Sequence, residues 1–114
     1  MSTFVKVATT ADLAEGSMMA VLVGDAEILL ARVQSQYYAI NNVCSHADAC
    51  LHQGDLRPAT WEVLCPLHQG GFDLRTGSPT AWPSSQPVQV YAVRVEGEDI
   101  LVGLPTGGAP PPDR

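Results

Sequence analysis

An all-β fold is what this sequence predicts, and three observations carry the prediction. Short apolar runs recur along the chain, clusters of Gly, Asn, Asp and Pro punctuate them, and no window sustains a helical period. At 114 residues the chain is expected to form one domain with a modest core.

Taken in order, Phe4–Ala8 reads as the first strand, and Thr10–Gly16 as a turn or short helical loop closed by glycine. Met18–Val23 and Glu27–Val33 are predicted strands joined across a hairpin turn at Gly24-Asp25. Gln36–Ile40 continues the meander after Gln34-Ser35, and Asn41 and Asn42 end it with residues that tolerate tight turns. Trp61–Leu64 is a short strand leading into Cys65. Phe72–Leu74 is its return, with a turn at Arg75–Gly77. Ser78–Pro87, with Pro79, Pro83 and Pro87 around Trp82, reads as a rigid surface loop. Val88 and Val90 alternate on one face, and Val93 and Val95 continue with the phase slipped by one. That slip predicts a β-bulge near Tyr91-Ala92. Gly97 falls in a turn and Ile100–Val102 is the return strand. Residues 105–114, rich in Pro and Gly, are expected to form a flexible tail.

The formal net charge of −6, with only six Lys and Arg scattered along the chain, argues against a nucleic-acid partner and favours partners with a basic docking patch. Three cysteines make no disulfide framework and suit a reducing compartment. Met1–Lys6 lacks the features of a secretory signal, and the longest apolar run, Met18–Val23, falls far short of the ~20 residues of a membrane span. A cytoplasmic protein without membrane contact is expected.

The chemistry lies between Cys44 and His68. Cys44-Ser45-His46 and Cys65-Pro66-Leu67-His68 are two mixed pairs separated by the eighteen residues Ala47–Leu64. Two thiolates and two imidazoles suit either tetrahedral zinc or an iron–sulfur centre. Common zinc modules of mixed ligation take a cysteine pair from a turn and a histidine pair from a helix, whereas here both pairs are mixed and sit among strand and turn signals.

Asn42-Val43-Cys44-Ser45-His46 and Cys65-Pro66-Leu67-His68-Gln69-Gly70-Gly71-Phe72-Asp73 resemble the Rieske iron–sulfur proteins, and among them the small Rieske-type ferredoxins of bacterial ring-hydroxylating dioxygenase systems. The resemblance implies an antiparallel β-sandwich over residues 1–104, with a small cluster-binding subdomain of two loops at about 42–84. It implies one two-iron, two-sulfide cluster, with Cys44 and Cys65 on the inner iron and His46 and His68 on the outer one. A rival pair, Cys50-Leu51-His52, stands closer to Cys65, but the family-like approach through Asn41-Asn42-Val43 precedes Cys44. Cys50 and His52 are therefore left as loop residues with no assigned chemistry. Gly70 and Gly71 are expected to let the backbone approach the sulfides, and the proline loop around Trp82 to cover one side of the cluster.

Function follows from what else the chain offers. A terminal oxygenase needs a second, mononuclear iron on two histidines and a carboxylate, and only His52 remains for it. No glycine-rich nucleotide fingerprint stands between a strand and a helix. The expected role is a non-enzymatic one-electron carrier in aromatic hydrocarbon catabolism, which the resemblance places between a flavin-containing reductase and a terminal dioxygenase. The alternatives are a small Rieske-like subunit of a nitrite-reductase-type complex and a zinc-stabilised interaction module. High-potential relatives carry hydroxyl side chains at the positions of Gly70 and Phe72 and a disulfide cysteine at that of Leu67. Their absence here predicts a potential on the order of −150 mV, the low end of the range. Asp48, Asp55 and Asp73 are candidate steering charges.

Overall fold

The computed structural model describes residues 2–24, 26–43, 50–66, 70–81 and 86–105. In chain order its strands are β1 (Ser2–Thr9), β2 (Ser17–Val23), β3 (Ala26–Val33), β4 (Gln36–Asn41), β5 (Asp55–Arg57), β6 (Glu62–Leu64), β7 (Gly71–Asp73), β8 (Pro79–Ala81), β9 (Val90–Glu96) and β10 (Asp99–Pro105). They pair antiparallel in two sheets, ordered β1-β10-β9-β4-β3-β2 and β5-β6-β7-β8. The all-β expectation holds.

β3 is the centre of the packing. Ile28, Leu29, Leu30 and Ala31 are all 0% exposed, so this strand is covered on both faces. Leu29, Ala31 and Val33 join Ile40 of β4 against Val63, Cys65, Phe72 and Leu74 of the smaller sheet. On the opposite face Ile28 and Leu30 join Ala39, Tyr91, Ile100 and Val102, because the larger sheet curls its far strands back over β3. Each large side chain so buried contributes about 1.5–3 kcal/mol. One strand thereby anchors both cores and fixes the smaller sheet, which carries Cys65, against the larger.

The β3–β4 turn shows how the meander is locked. Gln34 and Ser35 both have positive φ, 52° and 67°, as the mirror-image turn of a tight hairpin requires. Their N–H groups both donate to the Glu15 carboxylate, which ties the turn to the segment after β1. The β2–β3 hairpin pairs Val23 with Ala26, and Gly24 has φ +60°; Asp25 lies outside the described residues.

Three expectations are corrected. β9 carries no bulge: its register with β10 runs unbroken from Glu96 opposite Asp99 to Ala92 opposite Gly103. The slipped valine phase arises because Val88 and Val90 face the core shared with the smaller sheet, whereas Tyr91 and Val93 face the other core. Register shifts lie instead in β1, where the pairing with β10 slips between Lys6 and Ala8 and Val7 is the extra residue, and between β7 and β8 at Gly71/Phe72. Second, the proline segment begins as a strand and not as a loop. Pro79 opens β8, opposite Phe72 at the sheet edge, a position where the missing N–H costs no ladder bond. Third, Pro105 opposes Ser2 within β10; the remainder of the expected tail, 106–114, lies outside the described residues.

Candidate metal centre

The two predicted ligand loops leave from neighbouring points of the fold. The second is the end of a hairpin in which Leu64 opposes Gly71, and the Cys65 N–H donates to the Gly70 carbonyl at 2.7 Å. Cys65 is 1% exposed and packs in the core cluster with Leu51, Val63 and Phe72. The first loop departs after Asn42 and is closed by a bridge between Val43 and Cys50. From Cys50 the chain makes a 3₁₀ turn, Leu51–Gln53, and enters β5, where Asp55 opposes Leu64 beside Cys65. Gly54 lies so close to the second loop that a Cβ there would stand 1.8 Å from the Leu64 carbonyl oxygen.

Of the four predicted ligands the structure describes Cys65. Cys44, His46 and His68 lie outside the described residues, as do Leu67, Asp48 and Trp82. What is seen fits an iron–sulfur group. A soft sulfur donor is withheld from water at the base of a tied loop, and the chain leaving the other loop passes alongside at a glycine that leaves no room for a side chain. Neither Cys50 nor Cys65 is in a disulfide. Phe72 is 0% exposed in the core and Gly70 has no side chain, so neither offers a hydroxyl to a cluster sulfur.

Cys50 and His52, read as unassigned loop residues, belong to a polar cluster with Glu27 and Asn42. The Cys50 thiol donates to Glu27 Oε2 at 3.3 Å, and Asn42 Nδ2 donates to the same oxygen at 2.8 Å. Asn42 Nδ2 also meets His52 Nδ1 at 2.9 Å, and Asn42 Oδ1 accepts from the His52 N–H at 2.9 Å. Cys65 does not join Glu27, Cys50 and His52 in their group of mutually close donor atoms. Asn42 is fully buried, so it serves as the hub of this cluster and not as the turn residue its type suggested. The Cys-x-His spacing pointed at Cys50 and His52, but nothing local in the sequence points to Glu27, which β3 supplies.

The hydrogen bonds from Asn42 and then Cys50 hold the Glu27 carboxyl below the usual carboxylate range. The same contact, followed by burial and the carboxylate charge, pushes the Cys50 thiol up and makes it a poor nucleophile. A depressed folded-state carboxyl stabilises above its unfolded value, near 4.3, and that contribution is lost as pH falls through the lower folded value. Glu27→Gln is therefore expected to lower stability by about 1 kcal/mol at pH 7, a value discounted for the partial exposure of the site. Thermal unfolding of both proteins from pH 7 to pH 3 checks this: the gap should close below about pH 4, and a constant gap would contradict it.

Two of the candidate steering charges are described, and they differ. Asp55 is exposed beside the second loop. Asp73 opposes Glu62, three residues and about 10 Å along the hairpin from Gly70. Both of its oxygens are taken by Arg75, at 3.1 and 2.9 Å, so it is neither adjacent to the loops nor a free charge. The Arg75 hydrogen bond also holds its carboxyl below the usual range.

The chain's kinship agrees with this arrangement. The family described as Rieske [2Fe-2S] domain matches residues 3–92. The ferredoxin component of biphenyl 2,3-dioxygenase from Rhodococcus jostii (strain RHA1) is 37% identical over 102 residues, 90% of this chain and 94% of that protein. The solved ferredoxin of carbazole 1,9a-dioxygenase from Nocardioides aromaticivorans IC177 superposes with a TM-score of 0.85 at 46% identity, covering 89% of this chain and 97% of that one. A chain solved in a complex of reduced oxygenase and oxidised ferredoxin in carbazole 1,9a-dioxygenase gives a TM-score of 0.81 at 33% identity, covering 87% of this chain and 91% of that one. Among the described residues no helix is long and apolar enough to cross a membrane. The iron–sulfur reading of the donor pattern thus prevails over zinc: the chain belongs to the Rieske [2Fe-2S] family and is an electron carrier with a cluster of that type, not an enzyme in its own right.

Proposed function

We propose that this chain delivers single electrons to the terminal oxygenase of an aromatic-ring dioxygenase system in the cytoplasm, after accepting them from a flavin-containing reductase. Cys44 and Cys65 hold the inner iron and His46 and His68 the outer one, within a domain that runs to the end of β10 at Pro105 and whose loops at about 42–84 form the cluster-binding part. The bound cluster supplies a reversible one-electron couple. The observation that carries the reading is the complex of oxygenase and ferredoxin in which a relative of this chain was solved.

The chain's own residues set three conditions for that role. Cys65 is kept from water, which limits side reactions of its sulfur. Gly70 and Phe72 offer no hydroxyl donors, which favours a low potential and a forward driving force. The net charge of −6, with Asp55 exposed beside the second loop, favours brief encounters with a basic face on the partner.

Mixing the reduced protein with an oxidised aromatic-ring oxygenase in a stopped-flow spectrometer tests the proposal. The oxygenase cluster should be reduced at a rate that falls about tenfold between low and ~0.5 M salt. A potentiometric titration should give a midpoint on the order of −150 mV. A clearly positive midpoint, or no transfer to any such oxygenase, would sink the proposal.

A further inference from the structure

We propose that Asn42, clasped by Glu27 and His52, is a positioning residue for the cluster: it fixes the neck of the first Cys-x-His loop to β3 and so sets the place of Cys44 and His46. This rests on the reading of Cys44 and His46 as ligands.

Asn42 is the one buried polar residue among the described residues, at 0% exposure, and every hydrogen-bonding group it owns is used. Its N–H donates to the Glu27 carbonyl at 2.9 Å, and its carbonyl accepts from the Leu51 N–H at 2.7 Å. Its side-chain oxygen accepts from the His52 N–H, and its amide nitrogen serves both Glu27 Oε2 and His52 Nδ1. The orientation has one solution. A backbone N–H can only donate, so Oδ1 must face His52 N, and the NH₂ must face the carboxylate and the ring. His52 Nδ1 is then the acceptor, and the neutral ring carries its proton on Nε2.

The clasp grips both sides of the loop at one atom. Glu27 Oε2 accepts from Asn42, which precedes the loop, and from Cys50, which follows it. Among the described residues only Val43 stands between Asn42 and residues 44–49, and Cys50, bridged to Val43, follows them directly. A displaced Asn42 therefore moves the points from which Cys44 and His46 are suspended.

Glu27, Cys50 and His52 bring donor atoms within 4.8 Å of one another, which invites a reading as a second metal site. Asn42 argues against it. Its NH₂ stands between Glu27 Oε2 and His52 Nδ1 with its hydrogens toward both, and the Oδ1 bond to the His52 N–H prevents it from turning an oxygen to a cation. The amide already fills the cation's electrostatic role.

Asn42→Asp keeps the size and the Oδ1 acceptor but sets a second oxygen against Glu27 and His52. His52→Ala removes the ring acceptor alone, and His52→Asn returns an amide oxygen near the place of Nδ1. For the holoproteins we expect shifted EPR g values and midpoint potential in Asn42→Asp and His52→Ala, with cluster loss accelerated roughly ten- to hundredfold. His52→Asn should restore most of both. If Asn42→Asp does not fold, the His52 pair decides the matter. Wild-type g values and potential in the folded variants, with only thermal stability lowered, would overturn the proposal. Tight binding of one Zn²⁺ by the holoprotein, lost in Cys50→Ser, would do so too, by making the cluster a metal site. Cys44→Ser separates this failure from failure of the ligand assignment, since an intact cluster signal there would overturn the assignment itself.

Discussion

Replacing Cys65 with alanine is expected to give a folded, colourless protein that transfers no electrons. The thiol is 1% exposed and lies among Leu51, Val63 and Phe72, so a methyl group leaves the packing largely intact while removing one of two sulfur anchors. Serine at the same place should be worse for the fold, because an unpaired hydroxyl in that apolar cluster costs about 1–3 kcal/mol. Alanine at His46 or His68, and serine at Cys44, should likewise abolish the visible spectrum. Cys50→Ser should retain one cluster per chain, since its hydroxyl can still donate to Glu27. Iron content, visible absorption and EPR of the reduced proteins check the set. A full cluster in Cys65→Ala would overturn its assignment as a ligand, and loss of the cluster in Cys50→Ser with retention in Cys44→Ser would return the first loop to the rival pair.

That experiment is needed because the sequence speaks unevenly about the site and the fold. Strands that pair with a near neighbour were legible: β2, β3 and β4 follow from short apolar runs bounded by glycine or polar turns, and their register closes within short hairpins. Features that depend on distant partners were not. The bulge at Val7 exists only relative to β10, nearly the whole chain away. The valine slip in β9 resembled a bulge because sequence shows that a strand changes phase but not that a second core receives the other face. Pro79 hid β8, since a proline-rich run reads as loop until its edge position is known. At the site, paired Cys and His residues announced the chemistry, whereas the clasp was silent because Glu27 and Asn42 meet only after β3 and β4 pair. The free-charge reading of Asp73 failed for a local reason: Arg75, two residues on, takes both carboxylate oxygens.

Gly54→Ala is expected to be strongly damaging to the fold although the residue has an ordinary backbone conformation. Gly54 has φ −92°, so alanine meets no left-handed strain there. The obstacle is contact: the new Cβ would lie 1.8 Å from the Leu64 oxygen, 3.0 Å from the Leu64 carbonyl carbon and 3.1 Å from Pro66 N. All three are backbone atoms flanking Cys65, so no side chain can swing away to relieve the clash. The strand pairing that opposes Asp55 to Leu64 must open, and Cys65 must move with it. A cost of about 3 kcal/mol or more follows, equivalent to a fall in melting temperature of about 12 °C or more for a domain of this size. Gly24→Ala and Gly97→Ala provide the scale. Both positions have positive φ, +60° and +62°, yet nothing lies within 4 Å of the added carbon, so only the backbone strain of about 1 kcal/mol applies. Thermal unfolding of the three variants, followed alongside cluster absorbance, should separate Gly54→Ala from the other two and show its cluster lost first. Equal melting temperatures across the set would mean that the two loops are not wedged together at Gly54. The transmission of backbone position from β5 to Cys65 would then have to be abandoned.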